Sequence, residues 1–240
     1  MKSIAFLIIA TFSVFANVPE EKAVPIKGVF SPIGFDSNDR SEIVITGELP
    51  NLCHKFPTSN VKVEGDQINI EITSLYYEPT DPFCPDMVVP FTEVVSLGVL
   101  DKGDYKVVVN GNTEHQAESK LLVSESSSSA MDDYQYALVD YVERVGSTRT
   151  VKLKGYNPSD CYTLKEVSYV SNGVNTYSVL PKMERIMASC PMKMTSFEYI
   201  FNVPLELKSD KILLHVRKMD GRSVNVIFDQ KSETLIHANK

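Results

Sequence analysis

GELPNLC, Gly47 to Cys53, and GYNPSDC, Gly155 to Cys161, set a glycine, a proline and a cysteine at the same spacing twice in a chain of 240 residues that holds four cysteines. At an offset of 108, Ile43 falls on Val151, Ile45 on Leu153, Gly47 on Gly155, Pro50 on Pro158 and Cys53 on Cys161. CPDM at Cys84 then meets CPMK at Cys190, and Phe91 meets Phe197, both at an offset of 106. The turns repeat as well: Gly65 in EGD answers Gly173 in SNGV, and Asn110-Gly111 answers Asp220-Gly221. Asn-Gly and Asp-Gly are hairpin signals, because both tolerate the left-handed backbone such turns need. The chain therefore reads as two copies of one unit.

Each copy has period two. EIVITGEL, NVKVEG, QINIEITSLYY, FTEVVSL and YKVVVN in the first half are short, rich in Val, Ile, Thr and Tyr, and bounded by Gly, Pro, Asn and Asp. RTVKLKG, KEVSYVS, VNTYSVL, FEYIFNV, KILLHV and SVNVIFD repeat the pattern in the second half. Alternation over such lengths predicts half-buried strands, and no segment has a helical period. About seven strands in about 100 residues is the size of an immunoglobulin-like sandwich. The expected fold is all-β, two tandem immunoglobulin-like β-sandwiches at residues 24–123 and 134–232. Between them SESSSSAMDD, residues 124–133, has the small polar composition of a flexible linker. Residues 17–23 are expected as an N-terminal extension and 233–240 as a tail.

LDKGDYKV, Leu100 to Val107, resembles the D-x-G-x-Y tyrosine corner of immunoglobulin-like and fibronectin type III domains, with Asp101, Gly103 and Tyr105 matching. The resemblance implies that the Tyr105 hydroxyl bonds back to backbone at the turn. The second copy departs from it, carrying Lys211 where the tyrosine belongs.

Each copy holds one GxxPxxC and one CP, so the economical pairing is Cys53 with Cys84 and Cys161 with Cys190. A catalytic thiol at Cys53 beside His54 fits poorly, since neighbours in an extended segment face opposite ways. Zinc fits poorly because no CxxC occurs and histidine is scarce. The antibody bridge also differs: it joins strands within the two sheets, whereas Cys84 precedes the next strand and no Cys lies two residues after Tyr105. The expected staple pins the loop after the GELPNLC strand to the loop before the following FTEVVSL strand.

The N-terminus, MKSIAFLIIATFSVFA, places Lys2 before an apolar run and small residues Val14 and Ala16 before a cut, the pattern of a secretory signal peptide at residues 1–16. The run is short for a membrane span, and no later segment approaches one. The net charge of −7 and the lack of a long Lys/Arg run argue against nucleic acid as a partner. No glycosylation sequon is present, and the leader is brief. A periplasmic or extracellular address follows, an oxidising setting that suits the disulfides.

SLYYEPTDPFCPDMVVPF, Ser74 to Phe91, is the candidate binding loop: Tyr76, Tyr77 and Phe83 stand among four prolines beside a cysteine. Aromatics in a braced loop offer contact area at low entropic cost. The other reading is that these rings cover the sandwich core. The matching loop around Cys190 carries Met183, Met187, Met192 and Met194, thioethers that would suit Cu(I) or fill irregular core. Asp36, Asn38 and Asp39, with Asp132 and Asp133, offer oxygen atoms for calcium at a domain junction, yet the glycine and distal glutamate of a calcium loop are missing. No metal site or cofactor is assigned.

No GxSxG, HExxH, GxxxxGK or GxGxxG occurs, and His54, His115, His215 and His237 are scattered. No catalytic residue is assigned, and the expectation is a non-enzymatic, exported protein that binds a protein or envelope component. It is similar in this to bacterial exported proteins with immunoglobulin-like repeats. Two alternatives stand beside it: an inhibitor of an extracellular hydrolase, and a two-sandwich periplasmic chaperone of the pilus type. An acidic chain of twin disulfide-bearing copies departs from the chaperone pattern.

Overall fold

The fold comes from a computed structural model in which residues 18–229 are described, apart from 80–82, 147, 191–192, 205 and 208. The expected signal peptide and C-terminal tail lie outside the described residues.

The first half runs β1 (Glu20–Ala23), β2 (Ile26–Phe30), β3 (Phe35–Asp36), β4 (Arg40–Leu49), β5 (His54–Glu64), β6 (Gln67–Tyr76), β7 (Val89–Val99), β8 (Gly103–Val109) and β9 (Ala117–Ser124). The second runs β10 (Leu138–Arg144), β11 (Thr150–Asn157), β12 (Tyr162–Ser171), β13 (Thr176–Arg185), β14 (Thr195–Asn202), β15 (Lys211–Lys218) and β16 (Arg222–Asp229). The chain forms two immunoglobulin-like sandwiches. In the first, the sheet β2-β4-β7 faces a larger one in which β6 pairs with β5 on one side and with β1 and β8 on the other, followed by β9 and β3. In the second, β10-β11-β14 faces β12-β13-β15-β16. The duplication extends to an unusual connection: β6 lies parallel to β8, and β13 parallel to β15, so in each copy the second strand of a hairpin sits beside the later strand. β1 pairs with β6, so Glu20–Ala23 is a strand of the first sandwich rather than an extension ahead of it.

The period-two pattern sends alternate residues inward. Ile43 and Ile45 of β4, Ile68, Ile70 and Ile72 of β6, and Val107 and Val109 of β8 are at most 1% exposed. Val151, Leu153, Val179, Leu214 and Val216 do the same in the second core. Each such side chain contributes roughly 1.5–3 kcal/mol of burial. The glycine that opens each repeated motif has a packing reason. A Cβ at Gly47 would lie 2.3 Å from the Phe91 ring and 2.6 Å from the Pro25 carbonyl oxygen, and one at Gly155 would lie 2.0 Å from the Leu138 carbonyl oxygen. Backbone at Pro25, just before β2, and at Leu138, the start of β10, passes too close for any side chain.

Asp220 and Gly221 both adopt positive φ and close a tight hairpin between β15 and β16. The Asn110-Gly111 turn is different. β8 and β9 are joined by seven residues, 110–116, because the Asn110 side chain is buried, donating to the Val24 and Ile72 carbonyls and accepting from the Ile72 amide. Its amide completes the ladder between β1 and β6, so it works as an internal strut.

The two sandwiches are joined by buried polar contacts. Arg217, 3% exposed, donates to both Asp39 carboxylate oxygens at 3.1 and 2.6 Å and also to Asp132 and the Gly34 carbonyl. Its guanidinium lies over the rings of Phe35 and Tyr136. Nearby, Asn225 donates to Glu42 at 2.8 Å, Ser223 donates to the same carboxylate, and His215 approaches it at 3.4 Å. Phe30 and Val44 pack on Leu213, with Ile227 against them. Asn172 and Asn175 donate to the Ser31 and Val29 carbonyls. The serine-rich linker, whose composition predicts flexibility, is tied along its length: Ser37 bonds Ser126, Asn38 donates to the Ser128 carbonyl, and Ser127 donates to Asp133. Hydrogen bonds to neighbours, which composition does not register, hold it.

Replacing Gly155 by Ala forces β10 off β11 and is expected to destabilise the protein by about 2 kcal/mol or more, as overpacking does; urea unfolding of the variant checks it. Burial alone would push the Glu42 carboxyl up, but His215, Ser223 and Asn225 outweigh it and hold it at about 2, against an ordinary 4.5. The resulting stability, on the order of 3 kcal/mol, is fully present above pH 4.5 and is lost as the pH falls towards 2. Glu42→Gln should flatten the pH dependence of urea stability in that window.

Candidate functional site

The Cys53–Cys84 bridge, with Cα atoms 6.0 Å apart, closes a span of 31 residues. Cys53 stands between β4 and β5, and Cys84 stands five residues before β7. The bridge therefore pins together the two ends of the segment that carries the β5–β6 hairpin. Backbone bonds reinforce it: Tyr77 donates to the Cys53 carbonyl at 2.9 Å, Leu52 to the Pro85 carbonyl at 3.2 Å, and Met87 to the Pro85 carbonyl at 2.9 Å. In the chain-entropy model a loop of this length is worth about 3.5 kcal/mol.

Large apolar side chains face solvent around this staple. Phe83 is 72% exposed and Phe56 66%, with Tyr77, Met87 and Val88 also exposed. Phe56 has φ of 52°, at a bulge where β5 slips against β6 between Lys55 and Thr58. The left-handed region is costly for a bulky residue, roughly 1–3 kcal/mol, and the bulge re-aims its ring. Phe56 thus combines an unfavourable backbone with an exposed ring, which packing alone does not select.

Tyr76, grouped with Tyr77 and Phe83 in the sequence, is placed otherwise. It is half-buried, 5.1 Å from the His54 ring, with the Lys22 ammonium 3.9 Å above it. His54 is buried and bonds Ser74 at 2.7 Å; burial first, then the Lys22 charge, pushes its pKa down. Tyr76 and His54 pack on each other, whereas Phe56, Met87 and Val88, like Tyr77 and Phe83, are exposed. A Phe directly before Pro57, out of step with the apolar alternation of Val61 and Val63, is the sequence signal that marks Phe56.

The second copy repeats the geometry. Cys161–Cys190 spans 29 residues with Cα atoms 5.3 Å apart, and Ile186 donates to the Cys161 carbonyl at 2.7 Å, as Tyr77 does to Cys53. Ile186, Met187 and Met194 are exposed beside it, whereas Met183 is buried in the core. Met192 lies outside the described residues.

The Tyr105 hydroxyl donates to the Asp101 carbonyl at 2.8 Å, and the Tyr105 ring covers Gly103. The acids that sequence offers for calcium are engaged with protein groups. Asp36 accepts from the Asn38 amide, Asp39 and Asp132 bind Arg217, and Asp133 accepts from Ser127. The cation at the junction is the Arg217 guanidinium, which lies 178 residues from Asp39 and has no local signature. Among the described residues no group of three or more His, Cys, Asp or Glu is placed to hold a metal ion. Among them, too, no helix is long and apolar enough to cross a membrane.

Comparison with known proteins matches residues 43–119, from β4 into β9, to the ORF11 beta-sandwich domain. An uncharacterized 10.2 kDa protein in the HgiCIIM 5′ region of Herpetosiphon aurantiacus is 30% identical over 73 residues, 30% of this chain and 76% of that protein. A second from the same organism, in the HgiBIM 5′ region, is 32% identical over 73 residues, 30% of this chain and 87% of that protein. No solved structure matches the chain. The chain belongs to the same family as these Herpetosiphon aurantiacus proteins, with an ORF11 beta-sandwich domain at residues 43–119.

Proposed function

We propose that this chain is an exported, non-catalytic binding protein that grips a protein partner, in the periplasm or outside the cell, through the stapled end of its first sandwich. The observation that carries the reading is the exposed set Phe56, Tyr77, Phe83, Met87 and Val88 around Cys53–Cys84. Contiguous exposed apolar groups mark interaction surfaces. Aromatic anchors contribute most to such interfaces, and a covalent brace lowers the ordering cost of binding. Export rests on the leader sequence and agrees with two disulfides per chain.

Inhibition of an extracellular hydrolase is a special case of the same reading, with the Tyr77–Phe83 loop as the inserted wedge. A chaperone that anchors a C-terminal carboxylate between its domains is less well supported, because Arg217, the buried base at the junction, is already bound by Asp39 and Asp132.

Affinity capture from envelope extracts, followed by direct binding to the recovered protein, tests the proposal. Phe56→Ala combined with Tyr77→Ala and Phe83→Ala should weaken binding by at least about 100-fold, near 3 kcal/mol. Leu122→Ala, an exposed position on β9, should leave it unchanged. Equal binding by the triple variant would overturn the proposal, and turnover of a recovered substrate would show an enzyme instead.

A further inference from the structure

A concave feature lies on the outer face of the β10-β11-β14 sheet, in the other sandwich from the stapled aromatic loop. A cavity of about 310 Å³ is lined by Tyr141, Lys154, Tyr156, Glu198, Asp140 and Ser196, among others. Its size is at the lower end for small-ligand sites, about 300–1,000 Å³. Strand register builds it. Tyr141 pairs with Lys154, which pairs with Glu198, in one cross-strand row; Tyr156 and Ser196 form the next row. Asp140 is the extra residue of a bulge between Val139 and Tyr141. The two tyrosines are diagonal neighbours on adjacent strands, about 7–8 Å apart at Cα, and both rings are 40–50% exposed.

Lys154 stands between them. It bonds Glu143 at 3.0 Å, lies 3.6 Å from Glu198, and sits 5.4 Å from the Tyr141 ring centre. Its ammonium is held charged, first by the hydrogen bond to Glu143 and then by that to Tyr141. The feature therefore offers two half-exposed tyrosine rings in adjacent cross-strand rows, beside the charged groups of Lys154 and Glu198.

The duplication supplies an independent comparison. In the first sandwich the register-equivalent positions are Gly28 for Tyr141, Thr46 for Lys154, Glu48 for Tyr156 and Thr92 for Glu198. The bulge in the first strand recurs there, between Ile26 and Gly28, and the close-packed glycine is kept as Gly47. The scaffold, including Phe197 and its equivalent Phe91, is thus kept, while Tyr141, Lys154, Tyr156 and Glu198 each differ from their counterparts. In the first copy the neighbouring rows, Phe30 and Val44, are buried against the second sandwich; their equivalents Glu143 and Lys152 are solvated, which is unsuitable for docking another apolar sheet face.

We propose that this cleft binds a neutral pyranose oligosaccharide. Sugar rings have apolar C–H faces that stack on aromatic rings, and a rim of hydroxyls that pair with carboxylates and ammonium groups at once. The two half-exposed tyrosines supply the first, and Lys154 and Glu198 with the neighbouring bulge residue Asp140 supply the second. An anionic ligand is disfavoured, since Asp140, Glu143 and Glu198 outnumber Lys152 and Lys154. A lipid or other apolar ligand would desolvate the charged row without pairing it.

Calorimetric titration of the intact protein with cellotetraose, chitotetraose and mannotetraose tests the assignment. At least one should bind saturably, and Tyr141→Ala, Tyr156→Ala and Lys154→Gln should each weaken it about tenfold or more. Phe83→Ala should leave it unaffected, which separates this cleft from the stapled loop of the first sandwich. The three residues lie on the surface, and circular dichroism of the variants confirms that they fold. Failure of all three sugars to bind, or binding that survives Tyr141→Ala combined with Tyr156→Ala, would overturn the proposal.

Discussion

A covalent bond between two loops sets what each sandwich presents to solvent. Without it, the segment from Cys53 to Cys84 is a long excursion that leaves one sheet, runs out and back as β5 and β6, and returns as β7. The bridge removes much of the freedom of that excursion in the unfolded chain. It also fixes the ends of the stretch in which Phe56, Tyr77 and Phe83 stand exposed, with Met87 and Val88 just beyond Cys84. Apolar side chains on a free loop would collapse onto the sheet or aggregate. Held by the bridge and three backbone hydrogen bonds, they stay outward at little entropic cost. The same device recurs at Cys161–Cys190 around a different set of side chains, so the fold supplies a holder whose contents vary.

The second constraint is the junction. Arg217 is buried with two carboxylates, one from the first sandwich and one from the linker, and the backbone of Gly34 completes its shell. Removing one partner of such a pair leaves a buried charge and costs roughly 3–5 kcal/mol. The ion pair, the Glu42 cluster and the Phe30–Leu213 contact keep one face of the first sandwich closed. They leave open both stapled loops and the outer face of β10-β11-β14.

Much of this was legible in the residues. Isoleucine at every second position, 43 and 45, then 68, 70 and 72, marks strands because an inward face needs period two. The offset that superposes Gly47 on Gly155 and Cys53 on Cys161 carries the duplication, since close strand approach and a bridge each demand one residue type. What escaped depends on groups far apart in sequence. Arg217 reads as an ordinary surface cation until the fold brings it to Asp39. Tyr76 and Tyr77 are adjacent, yet strand pleating sends one against His54 and the other outward. The parallel pairing of β6 with β8 leaves no mark in a period-two pattern, and the Tyr141–Lys154–Glu198 row exists only through register.

The central claim is that the stapled aromatic end of the first sandwich is the contact surface for a protein partner. Site-specific photo-crosslinking in intact cells tests it most directly, with benzoylphenylalanine placed at position 83 in one version and at exposed position 122 in another. A discrete adduct from position 83 and none from 122 is expected. No adduct from 83, or the same adducts from both positions, would contradict it.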